Sequence, residues 1–163
     1  MTTGFLGTPY ILHALSENGR SDIAYDLLLQ EKKPSWLYSV NKGATTVWEH
    51  WDGINDEGKL WDPFMNSFNH YSYGAVFDWI FNEAAGIHIL KANYEEIVIK
   101  PHVDKRLGHL DMKYLTEKGL LSVRWYFQDD AVIYEIEIPD GCNAKIILQE
   151  RTYYLKGGKY MFS

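Results

Sequence analysis

Residues Leu120–Pro139 read LLSVRWYFQDDAVIYEIEIP, two alternating runs joined by Asp129-Asp130. In the first, Leu121, Val123, Trp125 and Phe127 alternate with Ser122, Arg124 and Tyr126. In the second, AVIYEIEIP repeats the rhythm, with Glu135 and Glu137 at outward positions. A period of two puts successive side chains on opposite faces of a strand, so this stretch predicts a hairpin with one buried face. The same period extends in both directions. Upstream, Ile97 and Ile99 alternate with Glu96, Val98 and Lys100; downstream lie Ala144, Ile146 and Leu148, then Tyr153 and Leu155. Asp140-Gly141 and Gly157-Gly158 read as turns between them. Strands recurring every roughly 8–12 residues predict an antiparallel β-sandwich over residues 88–163.

Before Ile87 the period is helical. Phe5, Leu6, Pro9, Tyr10, Leu12 and Leu15 form a stripe at spacings of three and four, and Asn18-Gly19 is a stop signal. A second helix is expected from Ser21 as N-cap, with Asp22 in its first turn and Ala24, Leu27 and Leu28 inward, ending near Pro34. A short segment covers Trp36–Val40. A longer helix is predicted from Ser72 to Ala85, carrying Val76, Phe77, Ile80 and Phe81 and closed by Gly86. The fold class is therefore α+β, with a helical part over residues 1–87 followed by the sandwich.

Composition narrows function. The 163 residues carry 16 Lys+Arg against 22 Asp+Glu, a net charge of −6. That balance disfavours a nucleic-acid partner, whose phosphates need clustered cations. No apolar run approaches the roughly 18 residues that would span a bilayer, so no membrane partner is expected. The single cysteine, Cys142, cannot form an internal disulfide and reads as a small packed residue. It leaves the compartment open, with a lean towards the reducing cytoplasm. Aromatic residues reach 15%, and Trp36, Trp48, Trp51 and Trp61 fall close together. Flat rings with polar tips suit a sugar, which offers a C–H face and hydroxyls.

The chemistry concentrates in GATTVWEHWDG (43–53) and LWDPFMNSFNHYSYG (60–74). Glu49, Asp52, Asp56, Glu57 and Asp62 lie among Trp48, Trp51 and Trp61, with His50 and His70 nearby. A carboxylate against indole rings is partly desolvated and suited to proton transfer, and Glu49 is best placed for it. Asp56, Glu57 and Asp62 read as loop-solvating or capping acids. The His spacings match no H-E-x-x-H or two-His-one-carboxylate pattern, so neither a metal nor a cofactor is predicted. No G-x-S-x-G elbow and no glycine-rich phosphate cradle occur. His13, His88, His102 and His109 are assigned no role.

Three stretches, Thr2–Trp36, GATTVWEHWDG and SFNHYSYGAVFDWIF (67–81), resemble in order and spacing the closing part of the catalytic domain of bacterial α-L-rhamnosidases, family 78 of the glycoside hydrolases. EEIVIKPH (95–102) and LLSVRWYF (120–127) resemble that family's C-terminal β-sandwich. The resemblance implies an incomplete (α/α)6 barrel and hydrolysis of terminal α-L-rhamnosides with inversion. It implies that Glu49 is the general base, that His70 lies at the sugar subsite, and that Trp51 and Trp48 shape the pocket.

Inversion requires a second carboxyl group roughly 6.5–9.5 Å from the first. In the resembled family that general acid lies upstream, and the helical segments read here cannot close six hairpins. The expectation is thus a fragment that is inactive alone, with the missing N-terminal part of the enzyme as its partner. Helical faces left exposed are expected to drive homo-oligomerisation. The alternative is a non-catalytic carbohydrate-binding or structural accessory module.

Overall fold

The computed structural model describes residues 3–64 and 66–163. It divides into two compact units, one ending at Trp79 and the other beginning at Ile80.

In the first unit, α1 (Gly4–Glu17) and α2 (Ser21–Leu28) form the expected helical pair, followed by α3 (Trp36–Asn41). The stop after α1 has a physical cause. Gly19 takes a φ of 72°, its N–H donates to Ser16 O at 3.0 Å, and the Arg20 N–H donates to Leu15 O at 2.8 Å. These two bonds satisfy carbonyls that the helix end would otherwise leave unpaired.

Thr8, Leu12 and Ser16 of α1 are buried, as are Ala24, Tyr25 and Leu28 of α2. Tyr25, rather than the expected Leu27, fills the inward face, because its ring stands edge-on to buried Trp79 at 5.1 Å. The Trp79 indole N–H donates to Ser16 Oγ at 3.0 Å, so the ring is buried with its polar atom satisfied. Ser35 caps α3 by accepting the Tyr38 N–H at 3.1 Å.

The single helix expected over Ser72–Ala85 is instead wound in three ways. A 3₁₀ turn, Ser72–Ala75, leads into α4 (Val76–Trp79), which closes the first unit. A π turn, Ile80–Ala84, opens the second, with the Ala85 N–H reaching back to Ile80 O at 2.8 Å. Phe77, expected to pack, is 59% exposed, whereas Trp79 is buried.

The second unit contains β1 (Ile87–Lys91), β2 (Glu96–Ile99), β3 (His109–Thr116), β4 (Gly119–Gln128), β5 (Ala131–Leu148) and β6 (Arg151–Phe162). They form one curled six-stranded sheet ordered β1-β2-β5-β4-β3, with β6 paired to β5. The sandwich is thus built from a continuous sheet. One pairing departs from the antiparallel expectation, since β2 runs parallel to β5.

The two predicted turns at Asp140-Gly141 and Gly157-Gly158 are not turns. β5 and β6 run through them, and they face each other where the pairing register shifts between Ile138 and Asn143. A Cβ on Gly157 would lie 2.7 Å from Asp140 Cα, so glycine there permits a close backbone approach. The chain reverses instead at Gln149-Glu150. Before the register shift β5 pairs with β4, over Ala131–Glu137, and beyond it with β2, over Asn143–Ile146, so the long β5–β6 hairpin serves both halves of the sheet. Leu121, Val123, Trp125, Ile136, Ile97, Ile99 and Ile146 form its core, as the alternation requires.

Candidate active site

The GATTVWEHWDG segment is irregular, and its shape comes from pairing with the segment after Met65. The Glu49 N–H donates to Ser67 O at 2.9 Å, and the His70 N–H donates to Val47 O at 2.8 Å. The Thr46 hydroxyl also donates to Phe68 O. These bonds place Glu49 and His70 in one short two-segment ladder.

The tryptophans on either side of Glu49 hold this ladder from behind. Trp48 is buried and meets Phe68 edge-on at 5.1 Å. Gly53 is packed between these same two rings: a Cβ on it would lie 3.3 Å from each. Trp51 stacks on Tyr73 at 3.7 Å and 17° and stands edge-on to Trp36, whose indole N–H donates to Tyr73 O at 2.8 Å. A cavity of about 110 Å³ lies among Trp36, Trp48, His50, Trp51 and Tyr73. Burial pushes the Tyr73 phenol above its ordinary value.

The five acids of the region separate clearly. Asp52 accepts from Lys33 Nζ at 3.4 Å. Asp56 accepts the Tyr38 hydroxyl at 2.8 Å and lies near Lys33 and Lys42. That hydrogen bond, with the two lysines, holds its carboxyl below the usual range. Glu57 pairs with Lys59 at 2.8 Å, and Asp62 accepts the Phe64 N–H at 2.7 Å. Glu49 alone is half-buried with a carboxylate that no hydrogen bond or ion pair engages among the described residues.

His70 is stacked between Phe5, at 4.9 Å and 18°, and Tyr71, at 5.2 Å and 16°. Its Nδ1 accepts the Ser72 N–H at 3.4 Å, which favours the tautomer with the proton on Nε2. A groove of about 480 Å³ runs along Phe5, Pro9, His70, Tyr71 and Ser72, large enough for a monosaccharide. Phe5 and Tyr73 also pack at this candidate site. In the sequence Phe5 reads only as part of the α1 stripe, whereas Tyr73 stands in the same NHYSYG run as His70. His50 stacks on Trp61 at 3.8 Å, apart from His70. Among the described residues, no three His, Cys, Asp or Glu side chains converge into a set that could hold a metal ion.

The order of elements, a helical part followed by a curled sheet, is matched by two family models. Residues 1–84 match the bacterial alpha-L-rhamnosidase 6 hairpin glycosidase domain, and residues 86–162 match the bacterial alpha-L-rhamnosidase C-terminal domain. The chain belongs to the bacterial α-L-rhamnosidase family.

Among its relatives, the alpha-L-rhamnosidase of Streptomyces avermitilis is 38% identical over 146 residues, and that of Alteromonas sp. 35% over 147. Each match covers 90% of this chain, which spans only 14% and 16% of the respective relatives. The solved structure of the Streptomyces avermitilis enzyme complexed with L-rhamnose superposes with a TM-score of 0.88 at 32% identity, covering 97% of this chain and 17% of that one. The native enzyme from Aspergillus terreus also gives 0.88 at 32%, covering 98% and 19%.

Proposed function

We propose that this chain carries the general-base side of an inverting α-L-rhamnosidase centre, with Glu49 as the base. In this reading a terminal α-L-rhamnoside lies with its anomeric carbon above a water molecule that Glu49 deprotonates. His70 hydrogen-bonds the sugar through Nε2, and Trp48 and Trp51 hold the wall behind the base. A carboxylic acid from another part of the enzyme protonates the leaving oxygen on the opposite face. The expected division between residues 87 and 88 would cut β1, so we place the division ahead of that strand, and the 163 residues alone hydrolyse no rhamnoside because another part of the enzyme supplies the acid.

The observation that carries the reading is the contrast among neighbouring acids. Asp52, Asp56, Glu57 and Asp62 are each tied to a cation or a donor, while Glu49 is not. That relatives are named alpha-L-rhamnosidase supports this choice of substrate class.

The test uses an enzyme that contains these residues together with the remainder of its catalytic domain. Glu49→Gln should lower aryl α-L-rhamnoside hydrolysis by about 10²–10⁴-fold, the usual worth of a general base. Proton NMR of the first-formed sugar from the parent enzyme should show the β anomer. Undiminished rates in the variant, or an α product from the parent, would overturn the assignment.

A further inference from the structure

The sheet carries two grooves on its outward face, and they differ in one chemical respect. In the groove of about 430 Å³ over β3, β4, β5 and β6, the polar side chains engage one another. Arg124 pairs with Glu135 at 3.0 Å, Lys159 with Glu137 at 3.3 Å and Lys113 with Asp111 at 3.0 Å. That surface is self-neutralised, by two cross-strand pairs and one pair within β3.

In the second groove, of about 420 Å³ over β2, β5 and β6, the polar side chains form no such pairs with one another among the described residues. The registers Glu96↔Asn143↔Lys156 and Val98↔Lys145↔Tyr154 put these residues in two adjacent rows on one face. Among the described residues no hydrogen bond or ion pair engages the side chains of Glu96, Asn143, Lys145 or Lys156, although the Glu96 charge acts on Lys91. At the centre stands the Tyr154 ring, 77% exposed, beside Leu90 at 65%.

We infer that this groove is a saccharide-binding site that shares no residue with the Glu49 and His70 segments. A pyranose ring is the ligand class that needs both features. Its C–H face stacks on an exposed aromatic ring, and its hydroxyls require donors and acceptors that are not already engaged. Asn143 offers both, Lys145 and Lys156 donate, and Glu96 accepts. An apolar protein partner would leave these four groups desolvated and unpaired, at a cost that disfavours it.

The test is a backbone amide NMR titration of the full chain with methyl α-L-rhamnopyranoside and with methyl β-D-glucopyranoside as probes. At least one should shift the amides of residues 143–145 and 154–156 saturably, with a dissociation constant in the range of about 1–50 mM. Tyr154→Ala should weaken that binding about tenfold or more, as expected for a stacking platform. Because the Tyr154 ring is largely exposed, the variant keeps its dispersed spectrum, and exposed Asn143→Ala provides a second variant with a weakened response. No saturable shift in either segment with either probe, or binding unchanged in Tyr154→Ala, would overturn the inference. Shifts confined to residues 47–73 would also overturn it while leaving the proposed function standing, so the two readings fail separately.

Discussion

The Glu49 amide donates to the Ser67 carbonyl at 2.9 Å, and this bond sets the register between the segment bearing the proposed base and the segment bearing His70. The carboxylate is therefore positioned by backbone pairing and by packed rings, and among the described residues it has no hydrogen-bond or ion-pair partner. Changes that loosen the pairing should act on the proposed site without touching the Glu49 or His70 side chain.

Gly53→Ala is the clearest such change. The added methyl would lie 3.3 Å from both Trp48 Cε3 and Phe68 Cε1 and 3.4 Å from Asn66 Oδ1, where neighbours must give way. Overpacking of this kind costs about 1–3 kcal/mol. Urea denaturation followed by Trp fluorescence should show that loss, and in an active enzyme the rate should fall more than substrate affinity.

Gly86→Ala should be worse. Gly86 takes a φ of 72°, and a Cβ there would sit 2.1 Å from Lys100 C, in a backbone contact that no side-chain rotation relieves. The Lys100 N–H donates to Gly86 O at 2.8 Å, so the β1–β2 edge depends on this approach. A loss of about 3 kcal/mol or more is expected. Hydrogen exchange at Ile87 and Ile99 should report it first.

Tyr38 and Asp56 predict how stability falls at both ends of the pH scale. Burial, then the Asp56 carboxylate, push the Tyr38 phenol up to about 12. The unfolded chain loses that proton at about 10. The stabilisation is full below the unfolded value and is lost as pH rises towards 12, because the unfolded state gives up its proton first. Asp56 is depressed in the folded protein, so its contribution is present above the ordinary carboxylate value and lost as pH falls through the folded value. Thermal melts of Tyr38→Phe across pH should show both slopes reduced relative to the parent.

Along α1, Leu6 is 89% exposed and Tyr10 71%. Apolar surface of this kind favours association, so the isolated chain should self-associate with rising concentration. Leu6→Ser with Tyr10→Ser should weaken association about tenfold or more in light scattering. A parent chain that stays monomeric at all concentrations would count against the exposed-face expectation.

Most of the local structure is legible along the chain. The alternation from Leu121 to Phe127 marks one face of β4, and Asn18-Gly19 marks the end of α1, because backbone period and left-handed caps are properties of neighbouring residues. The glycines were less legible. Asp140-Gly141 and Gly157-Gly158 carry turn chemistry, yet they lie opposite each other inside two long strands. Whether a glycine reverses a chain or lets two chains approach depends on what it faces. The same limit hid Phe5, whose contact with His70 joins residues 65 positions apart.

What the sequence determined by itself was the order of helix and strand, the family motifs, and the identity of the residue flanked by tryptophans that could serve as a base. Tertiary structure alone decided that β2 pairs parallel to β5, that Tyr25 rather than Leu27 turns inward, and that Glu49 escapes the lysines that engage its neighbours. Periodicity and capping arise from contacts within a few residues and are written in local order. Pairing, burial and charge neutralisation depend on which distant groups meet, and that is settled only when the chain closes on itself.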